Sequence, residues 1–236
     1  MENWQERTLL LLGEEKAKRL AEAHVLIVGV GGVGAYAAEM ICRAGVGRMT
    51  IVDGDVVNPS NINRQLVARH STVGQKKVDI LARRLLDINP QLQLAYHHEF
   101  LHDELTDNLL DSQKFDFVVD AIDTLSPKVH LMLAARRRKI KIVSSMGAGA
   151  RIDPTQVRIA DLADTCECTL ARAVRKRLAR LGFRKGFPVV FSTEKPNMEA
   201  VLLTEGERNK KSTVGTISYM PAVFGCFLAS YVIRKL

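Results

Sequence analysis

Two stretches decide how this chain is read: Val25–Gly34, VLIVGVGGVG, and the run 51–65, IVDGDVVNPSNINRQ. The first is an apolar strand entering a glycine-rich turn. The second is a strand that ends on Asp53 and opens into a polar loop holding Arg64. Glycines let backbone N–H groups close on a phosphate at the start of a helix, and an acid about 20 residues further on can accept from ribose hydroxyls. Gly29, Gly31, Gly32 and Gly34 therefore read as a phosphate turn, and Asp53 as the ribose acceptor. That much suits any dinucleotide enzyme, an NAD-dependent oxidoreductase included. The Asn61–Asn63–Arg64–Gln65 loop turns the reading toward ATP and adenylate chemistry.

Outward from this core, apolar runs alternate with helix-period stretches, the signature of repeated strand–helix units. Strands are expected at 24–29, 48–53, 92–96, 115–120 and 140–144, and helices at 33–44, 74–87, 103–111 and 126–138. In the helix at 74–87, Val78, Leu81, Leu85 and Ile88 share one face, and Asn89-Pro90 stops it. The expected fold is α/β, Rossmann-like and doubly wound, with a mainly parallel sheet and helices on both faces. One domain, 1–236, divides into a nucleotide-binding half of about 1–150 and a substrate-binding, closing half of about 151–236. In the second half, hairpin-like strands are expected around Asp153-Pro154, a very basic helix ends at Gly182, and 193–213 reads as a polar crossover loop.

With 236 residues, 47% hydrophobic and 25% charged, the chain is long enough to bury a large core. Its net charge of +8 exceeds what a mononucleotide ligand requires, and fits either a polyanionic partner or simple solubility. Four scattered cysteines make no disulfide framework, and Cys166 with Cys168 is not a zinc-ribbon pair. The N-terminal segment, MENWQERTLLLLGEEKAKRL, reads as an amphipathic helix and not a signal peptide, which places the chain in the cytoplasm. Val214–Ile233 is about long enough to span a bilayer, yet its Pro221, glycines and hydroxyls suit a buried closing helix; membrane contact there is the alternative.

Several side chains carry candidate chemistry. Asp55 follows Asp53 closely, as a second nucleotide contact or a loop cap. Arg64 and Lys77, the latter one turn into its helix, are spaced to hold a triphosphate, with Arg64 offsetting charge at phosphorus. Asp120 and Asp123 lie at the carboxyl end of a parallel strand, where open α/β sheets bind ligands. Asp123 is the better exposed and reads as the Mg²⁺ ligand or catalytic acid, with Asp120 capping the turn. Cys166 and Cys168 are either thioester-type nucleophiles or ordinary loop cysteines. Cys42 and Cys226 read as core.

Taken in order, GVGGVG, IVDGDVVNPSNINRQ, VGQKK…INP and VVDAID resemble the nucleotide site of the ThiF/MoeB superfamily of adenylating enzymes, relatives of the ubiquitin-activating enzymes. The resemblance implies that Asp53, Asn61, Arg64, Gln65, Lys77 and Asp123 bind ATP and Mg²⁺ and promote attack on the α-phosphate. It also implies that Arg7, in ERTLLLLG, is supplied across the interface of a homodimer with shared sites. GAGARIDPTQVRIADLADT, LARAVRKRL and VVFSTEKP are similar to the tRNA threonylcarbamoyladenosine dehydratases. That likeness implies ATP-dependent cyclisation of the modified nucleoside in tRNA. Arg172, Arg175, Lys176, Arg177, Arg180, Arg184 and Lys185 crowd one short region, which reads either as a contact for tRNA phosphates or as a solvated basic helix. One departure is Cys168-Thr169, where many relatives carry Asp-Pro. A sulfur-carrier or ubiquitin-like protein adenylyltransferase is the alternative within the superfamily, weakened by the missing cysteine pairs, and a sulfur-relay protein is a further partner to consider.

Overall fold

The structure, a computed structural model, describes residues 4–203 and 212–236. Seven strands form one sheet in the order β3-β2-β1-β4-β5-β7-β6. They are β1 His24–Val28, β2 Arg48–Val52, β3 Gln93–His97, β4 Phe117–Asp120, β5 Lys141–Ser145, β6 Val157–Asp161 and β7 Pro188–Ser192. Every pairing is parallel except β6 with β7, which is antiparallel and closes one edge. The fold is thus α/β and Rossmann-like, as the sequence leads one to expect. The strand order reverses between β1 and β4, and such a switch point opens a crevice at the carboxyl ends of the strands.

Alternation along β1 assigns the two layers. Val25 and Ile27 point into one core with α3 (Gly34–Arg43), α4 (Lys77–Ile88) and α8 (Tyr219–Lys235), while Leu26 and Val28 point into the other with α5 (Asp103–Ser112), α6 (Leu125–Arg137) and α7 (Thr169–Arg180). Strands buried on both faces need no polar alternate, hence their near-continuous Val and Ile.

The apolar C-terminal stretch is a core helix. On α8, Met220, Phe224, Leu228 and Val232 recur every four residues and are fully buried. Each such burial contributes about 1.5–3 kcal/mol. Gly225 lets α8 cross close to α3, since a Cβ there would stand 2.6 Å from the Val33 carbonyl oxygen. Among the described residues, no helix is long and apolar enough to cross a membrane.

Four local expectations need correction. The N-terminal segment is two helices, α1 (Glu6–Leu12) and α2 (Glu14–Glu22), broken at Gly13 where φ is +78°. Around Asp153-Pro154 there is no hairpin; a 3-10 turn capped by Asp153 leads into β6, whose partner is β7. Cys226 is exposed, on the outer side of α8, whereas Cys42 is buried as expected. Within 193–213, Val201–Leu203 (β8) and Ser212–Val214 (β9) pair antiparallel; residues 204–211 of that segment lie outside those described.

Candidate active site

The phosphate turn is a close-approach device. Gly29 has φ +85°, a left-handed conformation that favours glycine, and a Cβ there would lie 2.8 Å from the Ala121 carbonyl oxygen. A methyl on Gly34 would collide with the Gly29 carbonyl, so the chain folds back on itself only with glycine at both places. By contrast a Cβ on Gly31 would meet only the Gln65 amide, at 3.7 Å, which leaves an open cradle above the turn. A Cβ on Gly32 would press on Pro221 of α8 at 3.1 Å. No side chain caps α3, α4 or α6, and all three helices start at the carboxyl edge of the sheet. The Lys77 N–H of α4 donates to the Asp55 carbonyl and the Ala35 N–H of α3 to that of Gly31, so the positive ends of the helix dipoles and the other first-turn N–H groups are what these helices offer an anion.

Asp53 is tied on both oxygens. Oδ2 accepts from the Val30 N–H at 2.7 Å and Oδ1 from the Asp55 N–H at 2.8 Å. The carboxylate therefore fixes the phosphate turn to the end of β2 and still has lone pairs for ribose hydroxyls. Burial pushes its pKa up, opposed first by the nearby Lys77 charge. An amide cannot replace it, because one of its two polar atoms would be an NH₂ facing a backbone N–H. We expect Asp53→Asn to lose about 1–3 kcal/mol of stability, read by denaturant melts, and to bind ATP more weakly. Parental stability would mean that the two N–H groups do not compete for the site.

Lys77 is the first residue of α4 and not one turn inside it. Its side chain is buried, and its Nζ lies 2.7 Å from Asp55 Oδ2. Asp55 thus serves as the holder of Lys77. Asn61 is buried, and its Oδ1 accepts from the Asn58 N–H at 3.0 Å, shaping the loop from within. Arg64 is held by Ser60 O at 2.8 Å and Asn63 Oδ1 at 2.9 Å. Burial lowers the Arg64 pKa, and the charge of Asp123 across the crevice opposes that shift. The exposed Asp123 follows β4 on the far side of the switch point.

The turn and the loop fit a nucleotide on a direct criterion. Gln65 Oε1 is buried without a hydrogen-bond partner, beside the open cradle at Gly31. A buried acceptor left open in this way is available to a donor on a bound ligand. For Mg²⁺ the exposed Asp123 is the carboxylate on offer at this edge, and no group of three metal-ligating side chains occurs among the described residues. That suits an ion held by one carboxylate and phosphate oxygens. Arg7 does not join this cluster. It is exposed on α1, whose preceding residue Gln5 lies against Gly45 at the amino edge of the sheet, the edge opposite the crevice.

The ThiF family model matches residues 5–236. The chain belongs to the ThiF family. It is 39% identical to the tRNA threonylcarbamoyladenosine dehydratase of Bacillus subtilis, covering 98% of this chain and 93% of that protein. The crystal structure of E. coli tRNA N6-threonylcarbamoyladenosine dehydratase in complex with ATP superposes with a TM-score of 0.89 at 34% identity, covering 100% of this chain and 95% of that one. The molybdopterin-synthase adenylyltransferase of Salmonella typhimurium is 33% identical, over 59% of this chain and 54% of that protein.

In this ThiF-family chain the motif reading missed a buried pair. Lys128 Nζ lies 2.6 Å from Asp120 Oδ2, and both side chains are 0% exposed. Asp120 also accepts from the Ile122 N–H, the capping contact expected of it. The +3 spacing of two acids drew attention to the carboxylates; a lysine in an amphipathic helix gave no comparable signal. Cys168 is buried, its Sγ accepting from the Ala171 N–H at the start of α7, while Cys166 is exposed. A cavity of about 750 Å³ at the opposite, amino edge is lined by mixed charges, among them Arg19, Glu22 and Lys141, and contains none of the motif residues.

Proposed function

We propose that this chain uses ATP to adenylate the threonyl carboxylate of threonylcarbamoyladenosine in tRNA, then lets the ureido nitrogen close on the activated carbonyl. Cyclic threonylcarbamoyladenosine, AMP and pyrophosphate are the products. The observation that carries this reading is coverage: the similarity to the B. subtilis dehydratase runs through both halves of the chain, whereas the molybdopterin-synthase adenylyltransferase aligns with little more than one.

In this reading the ribose sits on Asp53 and Gln65 and the phosphates on the Gly29–Gly34 turn. Lys77, held by Asp55, and Arg64 balance the charge that develops as the carboxylate oxygen bonds to the α-phosphorus and pyrophosphate leaves. Preorganised cations aimed at such charge need not reorganise during the step. Asp123 would hold Mg²⁺, which when bound neutralises phosphate oxygens. In the second step the nitrogen gives up its proton and displaces AMP. Because nucleophile and electrophile share one nucleoside, the tether can be worth about 7–11 kcal/mol, and no enzyme thiol is required.

Support for a tRNA partner comes from α7. Arg172, Lys176 and Arg180 recur every four residues on its exposed side, and Arg177 donates to Ser126 Oγ at 2.8 Å, three positions along the chain from Asp123. Arg175 does not share this face. It turns inward and donates to the Thr165 carbonyl at 2.7 Å. The substrate implies a cytoplasmic protein.

The family resemblance assigns Arg7 to the site, and its place at the amino edge keeps it from its own crevice, so that role requires a homodimer in which each protomer completes the other's site. Mixing an Arg7→Ala protein with an Arg64→Ala protein should then restore about a quarter of the parental activity, through hybrid dimers with one intact site. No restoration after subunit exchange would rule out an arginine supplied in trans.

The decisive assay incubates the protein with ATP, Mg²⁺ and threonylcarbamoylated tRNA and follows the nucleoside by mass spectrometry. Loss of one water is expected. An unchanged nucleoside, with pyrophosphate exchange only on a carrier protein's Gly-Gly tail, would overturn the proposal in favour of the carrier-protein reading.

A further inference from the structure

Beneath the crevice, the Lys128–Asp120 pair takes no part in the chemistry proposed above, yet three elements meet in it. Lys128 lies in the first turn of α6, Asp120 ends β4, and Ser144 is the penultimate residue of β5. The ammonium donates to Asp120 Oδ2 and, at 3.0 Å, to Ser144 Oγ, and the Ser144 hydroxyl donates to the same Asp120 oxygen. The other Asp120 oxygen accepts from the Ile122 N–H at 3.0 Å, the residue before Asp123. Between them, the Ala121 N–H donates to Val28 O at 2.8 Å, and the Ala121 carbonyl packs against Gly29. One short turn therefore carries Asp123 and also floors the phosphate turn.

Stability alone does not call for charges here. Moving two ions out of water commonly costs more than their attraction returns, and well-packed apolar side chains of similar volume often do as well or better. What the charges add is direction. Charge-assisted hydrogen bonds to a carboxylate and a hydroxyl define one geometry, while methyl groups can slide.

We infer that Lys128, with Asp120 and Ser144, is a positioning residue for nucleotidyl transfer: the set holds the 120–123 turn so that Asp123 stays opposite Arg64. This rests on the roles of Asp123 and Arg64 proposed above. It assigns Lys128 no contact with substrate.

The test uses the full-length protein and two variants. In Asp120→Asn/Lys128→Met both charges leave together, so neither is stranded. In Ser144→Ala both charges stay and only the hydroxyl is lost. Single-turnover dehydration, ATP binding by calorimetry and amide exchange across 119–124 are measured on each. The double variant should bind ATP within a few-fold of the parent, exchange the Ile122 amide faster, and dehydrate about 100-fold more slowly, the size of effect expected from a misplaced reacting group. Ser144→Ala should shift the rate in the same direction by a smaller factor, again with less change in ATP affinity than in rate. Parental rates in both variants, or unchanged protection of Ile122, would overturn the inference. So would a loss of ATP affinity as large as the loss of rate, which marks a merely structural role. If the parent itself leaves the nucleoside unchanged, the functional reading fails, and the exchange measurement still decides whether the pair holds the turn.

Discussion

Replacing Asp123 or Arg64 by alanine should lower nucleoside dehydration by about 10²–10³-fold or more, the usual loss when one preorganised charge-stabilising group is removed. The fold should tolerate both changes. Asp123 is exposed beyond the end of β4. Among the described residues Arg64 donates within its own loop, to Ser60 O and Asn63 Oδ1, so its removal strands no deeply buried partner there. Melting curves should therefore move little while the mass-spectrometric readout collapses. The two losses should also not add, because groups acting on one transition state fail as a unit. Parental turnover in either variant would remove the role proposed for that residue.

Lys128→Met should cost about 3–5 kcal/mol of stability, the penalty for stranding a buried charge. The variant leaves the Asp120 carboxylate with two neutral donors, Ser144 Oγ and the Ile122 N–H, and no cation. Adding Asp120→Asn to it should recover most of that loss, since no ion is then left unpaired. Urea melts of the two proteins side by side check the prediction. An undiminished Lys128→Met protein would mean that water or another cation reaches Asp120, which its full burial argues against.

Much of the nucleotide half was legible in local pattern. The strands at 24–28 and 48–52 and the helices at 34–43 and 103–112 fall within a residue or two of where apolar period and turn residues put them. These signals are local, because a doubly buried strand and an amphipathic helix each write their period into adjacent residues. The motif acids and cations are legible for a related reason. A strand end, a glycine turn and a helix start place a side chain within a few residues of sequence. The second half was harder. The absence of a hairpin at Asp153-Pro154 is a matter of long-range pairing, β6 having found β7 thirty residues on, and a turn signal does not name its partner strand.

The sequence by itself determined an α/β sheet with a phosphate turn at Gly29–Gly34, an acid at Asp53 and a cationic loop at Arg64, since each depends only on neighbours along the chain. Only the tertiary structure decided which charges are free to act. It turned Arg175 inward to a carbonyl, set Asp55 to hold Lys77, put Cys226 outside, and paired Asp120 with Lys128 in the interior. The physical reason is that a charge's partner is chosen by packing between elements far apart in sequence. Spacing along the chain cannot carry that information.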